Sequence, residues 1–97
     1  MTAKSPRRVV TAVCQSLEGS SPDRILAPQR GSPRTAYLRA LSMLIWAEQH
    51  EDAPSYTAIG VAFGRDRRNA ARGIARVLDS GLPSRVVLKN ITDRLLG

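Results

Sequence analysis

Hydrophobic residues recur along this chain at spacings of three and four, and nowhere alternate with polar ones at the period of two that a strand requires. Val9, Val10, Val13, Cys14 and Leu17 form one apolar stripe, which predicts a first helix from Pro6 to about Leu17 with Gly19 as its stop. Ile25 and Leu26 mark a short second helix from Pro22. The run Ala27-Pro28-Gln29-Arg30-Gly31 breaks the pattern and reads as an exposed loop. The third helix is the longest, from Pro33 to about Gln49, with Tyr37, Leu41, Leu44 and Ile45 on a wide apolar face and Trp46 nearby. The acidic run from Glu48 to Pro54 is the next loop. A last helix opens at Ser84 and carries Val87, Leu88, Ile91 and Leu95.

The starts are marked as clearly as the faces. Ser5-Pro6, Ser21-Pro22 and Ser32-Pro33 each precede a helical pattern. Serine caps an early backbone N–H, and proline at the first helical position loses only an N–H that would have been unpaired.

Between the third and last helices lies the most informative stretch, SYTAIGVAFGRDRRNAARGIARVL, from Ser55 to Leu78. Ser55 caps a short helix in which Ile59 and Phe63 share a face. Gly64 permits a sharp stop, and Asp66 sits where a second N-cap is needed. Behind it, Ala70, Ile74, Val77 and Leu78 make an inward stripe. The other face carries Arg68, Arg72 and Arg76 at successive i+4 steps, with Arg65, Arg67 and Asn69 crowded at its start. A short helix, a tight turn and a polar helix with hydrogen-bonding side chains in its first turn is the helix-turn-helix arrangement. The expected architecture is all-α, about six helices, in a single domain over residues 1–97.

Charge agrees with that reading. The formal net charge is +7 on 97 residues, with 15 lysines and arginines against 8 acids. Such an excess attracts polyanions, either nucleic acid or an anionic membrane surface. Only Lys4 and Lys89 are lysines; the other basic residues are arginines, whose planar fork suits phosphate and guanine. A GC-rich genome would produce the same bias. An aromatic share of 4% argues against single-strand binding by stacking. A major-groove reader of this shape also does not fit A-form RNA.

Several classes fall away. Cys14 is the one cysteine, so neither an intrachain disulfide nor a thiolate metal cluster is possible, and its place on an apolar face suits an inert thiol. No stretch approaches the ~20 apolar residues of a membrane span. The start lacks the apolar core of a signal peptide, so a soluble cytoplasmic chain is expected. His50 sits beside Glu51 and Asp52, but sequence neighbours do not make a catalytic triad, and no metal-ligand spacing occurs. No catalytic, cofactor or metal site is expected. A protein-interaction module is the main rival, with Val86, Val87, Leu88 and Ile91 of the last helix as its possible apolar patch or dimer face.

The order of parts resembles the C-terminal DNA-binding domain (domain IV) of the bacterial replication initiator DnaA, a Trp-repressor-like helix-turn-helix fold. The resemblance rests on Ile59, Gly60, Ala62, Phe63, Gly64, Arg65 and Asp66, and upstream on Arg34 to Leu44. It implies that Arg65 reads a guanine and that Asp66 lies at the start of the recognition helix. The family pattern Phe-Gly-Gly-Arg-Asp-His-Thr-Thr-Val has one more glycine than this chain. Its base- and phosphate-reading His and two Thr correspond here to Arg67, Arg68 and Asn69. The basic loop is thinner too, with Arg30 and Arg34 in place of a denser cluster reaching the minor groove. A relative of the fold is implied, but not recognition of the initiator's own box. The module begins near the first methionine, and no phosphate-binding loop of an ATPase is present. In this it is similar to the N-terminal DNA-binding domain of gene transfer agent activators, and more chain is expected after Gly97.

The expected function is therefore double-stranded DNA binding by a bacterial transcription regulator, with helix 66–78 in the major groove. Arg65 and Arg68 are placed for bidentate contacts to guanine, and Asn69 for adenine. Arg67, Arg72 and Arg76 complete the contact face, the last two on phosphates. Asp66 and Ser55 are helix caps. Arg30, with Gln29 and Arg34, either touches phosphates or the minor groove or belongs to an ordinary polar loop. Arg7 and Arg8 in a first helical turn oppose the macrodipole and hint at phosphate contact. Alternatives are an origin-binding module and a module contacting RNA polymerase or other transcription proteins through further domains. Oligomeric state is left open.

Overall fold

The computed structural model describes residues 5–28, 31–50 and 52–96. Six helices make up the described chain: α1 (Pro6–Ser16), α2 (Pro22–Leu26), α3 (Pro33–Glu48), α4 (Tyr56–Ala62), α5 (Arg67–Ser80) and α6 (Arg85–Leu96). The described residues contain no strand. None of these helices is long and apolar enough to cross a membrane.

Each helix begins on a side chain that accepts a backbone N–H three residues on. Ser5, Ser21, Ser32, Ser55 and Ser84 do so through Oγ, toward Arg8, Arg24, Thr35, Ala58 and Val87. Asp66 does so through Oδ1, 2.7 Å from the Asn69 nitrogen. One orphan donor of each first turn is satisfied in this way, typically for ~1 kcal/mol.

The apolar stripes meet around α3, which packs against α1, α2 and α5, while α4 lies on α5 and α6 on α1. Val9, Val10, Val13, Leu38, Leu41 and Ile91 are wholly inaccessible, and Ile59, Phe63, Ala70, Ile74 and Val77 extend the same core under α4 and α5. Cys14 and Tyr37 are partly buried against it. Trp46 meets His50 at a tilt of 56° with ring centroids 4.1 Å apart, and Phe63 edge-on at 6.0 Å.

The structure corrects two apolar expectations. Leu78 is 58% exposed rather than part of the inward stripe. Its helical phase turns it past Ile74, to the edge of the buried face that Ala70, Ile74 and Val77 define. On α6, Ile91 is fully buried and Val87 and Leu88 are half-buried, so Val86 is the exposed member of the expected patch. α1 takes up that face.

Three polar side chains are buried among the described residues, Thr35, Arg39 and Ser42. The Ser42 hydroxyl donates to the Leu38 carbonyl one turn back at 2.7 Å. Arg39, only 5% exposed, donates from Nε to the Ile25 carbonyl oxygen at 2.7 Å. Its guanidinium is pulled below its ordinary pKa, first by burial and then by the neighbouring positive charge of Arg65.

Candidate nucleic-acid interface

α4 and α5 are joined by a turn that leaves little freedom. The Phe63 N–H donates to the carbonyls of Ile59 and Gly60, the Gly64 N–H to Val61, and the Arg65 N–H to Gly60 at 2.7 Å. Gly64 has φ +68°, a conformation costing other residues about 1–2 kcal/mol. Gly60 is needed for another reason. A Cβ there would stand 2.7 Å from the carbonyl oxygens of both Arg65 and Asp66, so the returning backbone occupies the place of a side chain.

One helix further on, a second small residue sets how α5 lies on α3. A Cβ on Gly73 would come within 3.1 Å of the Ala40 Cβ. The pair Ala40 and Gly73 therefore allows a close crossing. The sequence reading passed over Gly73, although a glycine inside an apolar helical pattern is a recognised sign of close approach.

With Ala70, Ile74 and Val77 turned into the core, helical geometry puts Arg68, Arg72 and Arg76 on the opposite face. All three are exposed, as are Arg67 and Asn69. Among the described residues no carboxylate pairs with Arg67, Arg68, Arg72 or Arg76; the ion pairs found are Arg7 with Asp23 and Lys89 with Asp93. Asp79 ends the basic face at its C-terminal side. Arg67 and Arg68 also stand in the first turn of α5, where positive charge opposes the helix dipole. α5 thus presents Arg67, Arg68, Arg72 and Arg76 with no ion-pair partner among the described residues.

Beside this face runs an open groove of about 770 Å³ between α3 and α5. Pro28, Pro33 and Tyr37 line one side, Arg68, Asn69 and Arg76 the other. Arg34 is held near it: Nε donates to the Glu18 carbonyl at 3.0 Å, and the guanidinium lies 5.4 Å from the centre of the Tyr37 ring. The Tyr37 hydroxyl donates to the Gly81 carbonyl, tying the groove to the end of α5.

The expected contact residues fall into three sets. Arg67, Arg68, Asn69, Arg72 and Arg76 come together on α5, capped by Asp66. Arg34 is drawn toward Glu18 and Tyr37, and Arg30 lies outside the described residues. Arg65 departs most from expectation. It is half-buried and lines the same groove as Arg68, Arg72 and Arg76, but its Nη2 donates to the Ala27 carbonyl across 38 positions of sequence, so it is engaged within the fold. Arg7, whose place in a first turn hinted at phosphate, faces Asp23 at 2.7 Å. Among the described residues no group of three or more His, Cys, Asp or Glu is placed to hold a metal ion. Comparison with known proteins finds no matching family model, no matching curated protein and no matching solved structure.

Proposed function

We propose that this chain is a double-stranded DNA-binding domain of a bacterial transcription regulator, with α4 and α5 as a helix-turn-helix of the Trp-repressor-like kind. The observation that carries the reading is the row of exposed, unpaired guanidiniums on α5, positioned by a turn whose geometry is fixed at Gly60 and Gly64. A surface helix with no need to bind an anion gains nothing from such a row. Against a duplex it exchanges condensed counterions for Arg–phosphate contacts.

In this reading the first turn of α5 faces the base edges of the major groove. Arg68 reaches guanine O6 and N7, and Asn69 reaches adenine N6 and N7. Arg67, Arg72 and Arg76 bind phosphates on either side. Arg34, anchored to α1's end, lies where a backbone strand passes the mouth of the groove.

The test is a titration of fluorescent duplex DNA across a salt series. Four phosphate-binding arginines give a slope of log affinity against log salt of roughly −3 to −4. Arg72→Ala lowers that slope by about 1. A slope near zero would remove the reading.

A further inference from the structure

The geometry points to Arg65 as a positioning residue that sets the width of the DNA-facing groove, and not as a base reader. The inference rests on the DNA-binding reading and deepens it. Two arginines from different parts of the chain converge on the C-terminal end of α2. Arg39 Nε donates to the Ile25 carbonyl at 2.7 Å, and Arg65 Nη2 donates to the Ala27 carbonyl, which is the α2 C-cap. The last carbonyls of a helix lack internal partners and carry its negative dipole end, so guanidinium donors suit them. The two charges are close enough that Arg65 depresses the pKa of Arg39. Holding two like charges together is costly, and the carbonyls at α2's end offset that cost.

The chain leaves α2 at Ala27 and forms one side of the groove with Pro28 and Pro33, facing Arg68 and Asn69 of α5. Arg65 sits at the junction. Its backbone N–H is bonded to Gly60 inside the turn, while its side chain holds Ala27. A guanidinium spent on that carbonyl spans the distance between the turn and α2. It therefore fixes how far Pro28 stands from the first turn of α5. Rotating it toward a base would release α2's end.

The test selects duplex sites from a randomised pool with wild-type protein, Arg65→Ala, Arg65→Gln and Arg68→Ala. Amide exchange of Ala27, whose N–H donates to the Arg24 carbonyl at 3.3 Å and so reports opening of the end of α2, is followed in each free protein. Positioning makes Arg65→Ala bind every selected site more weakly, with the wild-type base preference intact, and speeds Ala27 exchange roughly tenfold. Arg65→Gln ends two bonds short of Nη2 and leaves the Ala27 carbonyl without that donor, so it binds as weakly as Arg65→Ala with the same preference. Arg68→Ala loses a guanine position and leaves Ala27 exchange alone. The assignment is overturned if Arg65→Ala erases a guanine preference, or if Arg65→Gln turns one into adenine, the base a glutamine pairs with. It is equally overturned if Ala27 exchange ignores Arg65→Ala. Wild-type protein without affinity for any duplex would instead overturn the DNA reading, which the exchange data, needing no DNA, tell apart.

Discussion

Gly73 of α5 lies against Ala40 of α3 so closely that one added methyl would stand 3.1 Å from the Ala40 Cβ. Two effects oppose each other at this crossing. Alanine gains about 1 kcal/mol over glycine in a helix interior. The contact demands that two backbones part by a few tenths of an ångström in a packed interior. We expect Gly73→Ala to change stability by less than about 1 kcal/mol, because the terms nearly cancel. Gly73→Leu has no such compensation and is expected to cost about 1–3 kcal/mol or more. Urea unfolding followed by Trp46 emission measures both; Leu at 73 without loss would mean that the helices do not cross this closely.

The turn offers a sharper ordering. Gly60→Ala drives a Cβ to 2.7 Å from two backbone oxygens. Gly64→Ala meets nothing within 4 Å and suffers only its φ of +68°. Gly64→Ala is expected to cost about 1–2 kcal/mol. Gly60→Ala is expected to cost clearly more, a large share of the ~5–15 kcal/mol that holds a small domain folded. Thermal unfolding by circular dichroism checks the order; equal costs would contradict the turn geometry.

Leu78 gives a prediction in the opposite sense. At 58% exposure it contributes little to the core, so Leu78→Gln should leave stability within about ±0.5 kcal/mol. Ile74→Ala, one turn earlier and 4% exposed, should cost about 2–5 kcal/mol. A comparable loss at both positions would restore the broader apolar stripe inferred from spacing alone.

These contrasts show what spacing can and cannot convey. The Ser-Pro pairs locate three helix starts because capping is a local matter, decided within four residues. Ala70, Ile74 and Val77 are legible as a buried face because period fixes direction. Leu78 is not, since it sits at the edge of that face, where period alone does not say how wide the covering layer is. Arg39 is hidden for a similar reason: a charged residue inside a helix reads as surface, and only α2's end, 14 positions away, supplies the carbonyl that keeps it buried. The engagement of Arg65 with Ala27 is not legible either, because the two lie 38 residues apart.

In the proposed DNA-binding reading, the α5 surface separates readers from anchors. Arg68→Ala is expected to lose about 1–3 kcal/mol on a preferred site and to relax selectivity at one base pair. Arg76→Ala should weaken all duplexes alike. Neither should shift unfolding by more than about 0.5 kcal/mol, since both side chains are exposed and unpaired. Parallel binding and melting curves separate the two effects, and a fall in stability matching the fall in affinity would point to structural roles.

The exposed arginine face of α5 is proposed to meet duplex DNA, and amide shift mapping during titration of labelled protein with a short duplex tests that contact. The expected result is a continuous set of shifts over Asp66, Arg67, Arg68, Asn69, Arg72 and Arg76, reaching Arg34 and Tyr37 across the groove and sparing α6. Shifts centred on α6 or α1, or none at low salt, would contradict it.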